Sequence, residues 1–179
     1  MSKYILTQSA RARRLTWRYI LLVGVLLLLV SLLQVSFFAR FQLLGVTPNL
    51  MIVTVLCIAF FGGEHMGAVV GISAGFLIDS LGATGIILLP LCYFLLGYLV
   101  GHFASRASAR GFVSYLAYLA STLLFGAVIT LIDTAITYES LHFGPLLVHT
   151  LLPEALVTAI AGLVLFFPIK LFCALLGRR

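Results

Sequence analysis

The side chains in this sequence that could do chemistry are few and scattered. Asp79, Asp133, Glu139 and Glu154 supply carboxylates, His142 and His149 supply imidazoles, and Ser73 and Ser80 supply hydroxyls. His142, His149 and Glu154 come nearest to a metal-ligand set. Their spacing argues against one, because a seven-residue step across Pro145, with Pro153 beyond it, lacks the i, i+4 pairing that puts two ligands on one helix face. Neither serine has a local histidine or lysine to act as base. Asp79 and Asp133 form the closest thing to an aspartate pair, yet neither sits in the GxGD or YD surroundings of an intramembrane aspartyl protease, and HExxH is absent. No GxxxxGK loop offers backbone N–H groups to a triphosphate. Cys57, Cys92 and Cys173 fall singly in apolar runs and read as small core hydrophobes, not disulfides or ligands. The sequence therefore predicts no catalytic residue, no metal and no cofactor.

The elements that must position these residues follow from composition. With 63% apolar and 9% charged residues, the chain lacks the polar surface a water-soluble domain needs. In lipid every backbone N–H and C=O must be paired internally, which leaves helices or a closed barrel. Continuous apolar runs, not ten-residue alternating strands, select helices. The expected fold is an all-α polytopic membrane protein, a single transmembrane domain over 1–179 with about six crossings. Helices are predicted near 19–38, 48–62, 66–81, 85–103, 112–138 and 147–174. The second and third are short for a full crossing, so a tilt, a local thinning or a re-entrant hairpin stays open. Thr47 is predicted to cap the second helix with Pro48 at its first position, Gly62-Gly63 to end it, and Gly82 to Gly85 to form the turn after the third.

The net charge of +6 is distributed for orientation, not for nucleic acid. Lys3, Arg11, Arg13, Arg14 and Arg18 fill the first 18 residues, Arg106 and Arg110 flank one loop, and Lys170, Arg178 and Arg179 end the chain. All of them fall on one side if both termini are cytoplasmic, which leaves Arg40 alone outside. The apolar run over 19–38 is too long for a signal core and reads as an uncleaved first helix.

Gly63, Gly67, Gly71 and Gly75 recur every four residues, with Ala68 and Ala74 beside them. Such a ridge lets a second backbone approach within reach of dispersion and Cα–H···O contacts. The neighbour is either another helix of this chain or a partner's. Asp79 stands one step further along, where a carboxylate in an apolar span calls for an interior partner or a cap at the 82–85 turn. With Asp133, Glu139, His142, His149, Glu154 and Arg40 it is expected to gather at the outer helix ends in a polar cluster or cavity. A solute, a partner's membrane helix, or ion pairs with Arg40 would each fit such a cluster.

Three stretches resemble one family, the rod shape-determining protein MreD. They are TPNLMIVTVLCIAFFGG (47–63), MGAVVGISAGFLIDSLGATGIILLPLCYFLLGYLVG (66–101) and LLPEALVTAIAGLVLFFPIKLF (151–172). The shared order is Pro-Asn, a glycine ladder ending in Asp, Gly-Tyr, then Pro-Glu. Ala83-Thr84-Gly85 departs from the pattern, since the family often has a proline shortly before that glycine. The matched positions are Pro48, Asn49, Gly75, Asp79, Gly85, Tyr98, Gly101, Pro153 and Glu154. The resemblance implies a non-enzymatic scaffold in the bacterial cytoplasmic membrane. Such a scaffold binds the single-span protein MreC and links MreB filaments to the peptidoglycan polymerase and transpeptidase of cell-wall elongation. It also implies a fold similar to the substrate-binding subunits of energy-coupling-factor transporters, so a small-solute uptake subunit is the alternative. Gly63, Gly67, Gly71 and Asp133 complete the set expected to pack or bind a partner.

Overall fold

The computed structural model describes residues 20–38, 40, 46–81, 89–106, 111–137 and 150–177, and among them the chain is helical, with no strand. Helix α1 runs over 20–32 and widens into a π-helical stretch, Leu33–Phe38. Five more follow: α2 (Leu50–Gly62), α3 (Glu64–Ser80), α4 (Leu89–Arg106), α5 (Phe112–Thr137) and α6 (Leu152–Gly177). Each predicted helix is present. The fourth continues through Arg106, which the sequence had suggested for a loop.

The core is built around α2. Every residue from Leu50 to Phe60 is buried, which its sequence explains: a helix apolar on all sides has no face to turn outward. α3, α4 and α6 pack closely on it and α5 more lightly, while Val23 and Leu27 of α1 enter the same core. At 13 residues α2 is about 20 Å long, short of a ~30 Å hydrocarbon layer.

The cap of α2 differs from expectation. Asn49, not Thr47, is the N-cap, and its side-chain oxygen accepts the Ile52 N–H at 3.1 Å. Asparagine is among the best residues for this role because its short carboxamide reaches an unpaired N–H of the first turn. Pro48 accordingly precedes the cap and is buried. At the other end Gly63 is the whole connection between α2 and α3. Its φ of 83° and ψ of −174° are a conformation open in practice to glycine alone. Its N–H donates to the Ala59 carbonyl and its own carbonyl accepts from Gly67 N–H, both at 2.9 Å.

Two segments are long and apolar enough to cross a membrane: Phe112–Ile132 within α5 and Leu152–Leu171 within α6. Neither is mostly covered by the rest of the fold. Leu124 is 72% exposed, Val164 66% and Phe167 68%, far more apolar surface than water tolerates in one region. Where the sequence predicts six crossings, these two reach span length among the described residues, and Ile20–Ser36 and Leu50–Gly62 are shorter apolar helices.

Candidate functional site

The polar residues that come together lie at the Asn49 end of the bundle. Asn49 Oδ1 accepts the Tyr93 hydroxyl at 3.1 Å as well as the Ile52 N–H, and the Asn49 N–H donates to Thr158 Oγ1 at 3.1 Å. One turn earlier on α6, the Glu154 carboxyl accepts from the Thr130 hydroxyl at 3.3 and 3.4 Å. From α1, the Gln34 side-chain oxygen accepts the Met51 N–H at 2.9 Å. Backbone N–H groups at the start of α2 are thus met by Gln34 of α1, by Asn49 itself and by Thr158 of α6, while the Asn49 side chain also holds Tyr93 of α4. Between α2, α5 and α6 remains a cavity of about 20 Å³, bordered by Asn49, Thr122, Glu154 and Thr158 among apolar neighbours.

The glycine ridge is used within the chain. α3 and α4 form the tightest helix pair, and a Cβ at Gly67 would run into the Gly97 carbonyl oxygen and lie 2.8 Å from Ala59 Cβ and 2.9 Å from the Gly97 carbonyl carbon. At Gly71 a Cβ would come within 2.8 Å of the Tyr93 carbonyl carbon, and at Gly75 within 2.9 Å of Pro90 N. Gly97 and Gly101 answer from α4, where a Cβ would sit 2.7 Å from Gly67 C and 2.6 Å from Gly63 C. Backbone lies against backbone along the whole pair, the arrangement small residues permit. Of the two neighbours left open by the sequence, it is a helix of the same chain that fills the ridge.

Other predicted residues scatter. Asp79 is exposed near the end of α3, and neighbouring Ile78, 2% exposed, takes the inward position. Arg40 is exposed, and the ion pairs among the described residues belong to Glu64, not to Arg40. Tyr98 is partly exposed and stacks between Phe94 and His102, with ring centroids 6.3 and 5.7 Å apart. Pro153 lies in the first turn of α6 beside Glu154. Gly85, Glu139, His142 and His149 lie outside the described residues, as does the side chain of Asp133. Among the described residues the polar cluster therefore consists of Glu154 and Asn49 with the hydroxyls of Tyr93, Thr130 and Thr158, and Asp79 and Arg40 stand exposed apart from it.

Three features escaped the sequence reading. At the Gly63 end, Glu64 Oε2 lies 2.6 Å from His102 Nδ1 and Glu64 Oε1 3.8 Å from His65 Nε2. The hydrogen bond with His102 outweighs partial burial and holds the Glu64 carboxyl below its ordinary value. The start of α3 also suits a negative charge, where helix N–H groups point outward. Tyr115 is fully buried, donates to the Gly162 carbonyl at 2.8 Å and lies 3.3 Å from Cys57 Sγ. Its ring packs against Phe166 at 4.4 Å and Phe60 at 5.7 Å, joining α5, α6 and α2.

Last is a surface. α4 and α5 touch only slightly, and an apolar groove of about 550 Å³ opens between them. Leu96, Leu99, Val100 and Phe103 form one wall, and Ala117, Tyr118, Ser121, Thr122 and Phe125 the other. Ala117 and Ser121, both exposed, stand four residues apart. No protein-family model matches this chain, and no curated protein or solved structure is detectably similar to it.

Proposed function

We propose that this protein is a multi-pass membrane scaffold of the MreD type, with both ends cytoplasmic. Its role is to bind an MreC-like single-span partner and through it to connect an MreB-like filament with cell-wall synthesis. The observation that carries the reading is the α4–α5 groove. With the glycine ladder spent inside the chain, Ala117 and Ser121 are a small-xxx-small step left facing outward in an apolar setting, the surface on which a second membrane helix packs most closely. This moves the expected docking face from α3 to α5. Replacing Ala117 and Ser121 by Trp should fill the groove and abolish co-purification of the single-span partner from detergent extracts, while the protein still accumulates in the membrane. Full recovery of the complex from the doubly substituted protein would end the proposal.

The alternative, a small-solute uptake subunit, finds less support. A vitamin-sized ligand needs a pocket of roughly 300 Å³ or more, whereas the polar cavity beside Glu154 measures about 20 Å³.

A further inference from the structure

Thr122 and Glu154 face the same small cavity from opposite helices, and each lacks something. Thr122 is 1% exposed and its hydroxyl has no hydrogen-bond partner among the described residues. A buried hydroxyl left so has given up its hydration with nothing in exchange, and native proteins seldom leave one. Glu154 carries a potential negative charge in a half-buried position, with a neutral hydroxyl, Thr130, as its hydrogen-bond partner. The described ion pairs are all at Glu64, near the other end of the bundle. A carboxylate removed from water without a compensating charge is costly.

The space between them matches both needs. At about 20 Å³ it exceeds the ~10–15 Å³ that one water requires, and the polar residues Asn49 and Thr158 also line it. We infer that this cavity binds one water-sized, oxygen-liganded occupant and that Glu154 acquires one unit of positive charge there. The charge arrives in one of two forms: a proton on the carboxyl with a water bridging to Thr122, or a monovalent metal ion seated among the oxygens. Hard cations favour oxygen ligands. The other titratable group that bears on Glu154 among the described residues is Tyr93 of α4, linked through Asn49. Arg40, the basic residue of the same half, is exposed. The inference is independent of the scaffold proposal, since it concerns only the folded chain.

The test is the sign of Thr122→Val, read as the thermal midpoint of the purified full-length protein in detergent. If the hydroxyl bonds an occupant, the near-isosteric substitution lowers the midpoint by about 2–4 °C, the shift that ~1 kcal/mol produces at this size. If the cavity is empty, the same change removes an orphan hydroxyl and raises the midpoint or leaves it unchanged, and the inference is overturned. Titrations of NaCl against choline chloride at fixed ionic strength then separate the two forms. A sodium-dependent rise that Glu154→Gln abolishes assigns a metal ion. A sodium-independent midpoint, with Glu154→Gln gaining on the wild type as pH rises, assigns the proton with its water. Coincident wild-type and Glu154→Gln curves at every pH and sodium concentration also overturn the inference.

Discussion

Two glycines of similar helical setting should respond in opposite ways to one added methyl. A Cβ on Gly97 would sit 2.7 Å from the Gly67 carbonyl carbon, a backbone atom with nowhere to go, whereas a Cβ on Gly24 meets nothing within 4 Å. Gly97→Ala should therefore cost about 1–3 kcal/mol through overpacking, and Gly24→Ala should gain up to about 1 kcal/mol from helix propensity. Thermal midpoints of the two purified variants, compared with wild type, check both signs. The four-residue spacing made the α3 half of this interlock legible in the sequence, but its α4 half was there as well, in the Gly97-x-x-x-Gly101 step, and went unread. Asp79 shows the limit of extrapolating such a ladder. Each four-residue step overshoots a 3.6-residue turn by about 40°, so three steps on from Gly67 the ridge has rotated by about 120° and the carboxylate leaves the contact face.

Among the elements, the α3–α4 pair is fastened at one end by the hydrogen bond between Glu64 and His102. Glu64 is an acid whose folded-state value lies below the 4.5 of the unfolded chain, so its contribution is fully present above pH 4.5 and disappears as pH falls through the lower folded value. Glu64→Gln should consequently lower the thermal midpoint at neutral pH and flatten its decline on the acid side. A melting series from about pH 3 to pH 7 reads this difference; parallel wild-type and variant curves would refute it. Helix positions were largely legible because apolar runs, Gly63 and the proline-led starts mark them directly. The cap was not, since Thr47 and Asn49 both have capping side chains and only the path of Pro48 decides between them. The Glu64–His102 pair was equally hidden, as it joins residues 38 apart that meet only after the hairpin has closed.

For the whole molecule, the proposed orientation places the Gly63 end, with Arg106 and Lys170, in the cytosol, in keeping with the retention of basic residues there. A single cysteine at the exposed position Ser105 should react with a membrane-impermeant maleimide in inverted vesicles and stay unlabelled in intact cells. The reverse pattern would invert the proposed map. Composition alone announced a chain suited to lipid, since 63% apolar residues admit few other solvents. What it could not give is which apolar faces are spent on neighbours, because α2 and α5 read alike as sequences yet one is enclosed and the other exposed.

The enclosed position of α2 has a further consequence for biogenesis. Its wall is completed by α6, which leaves the ribosome only after α3, α4 and α5 have followed α2 out. Throughout synthesis this short segment must therefore wait with one flank bare, and a message truncated ahead of residue 152 would release a polypeptide whose centre is never covered. Quality-control proteases would meet such a product as an open barrel stave, not as a smaller version of the protein.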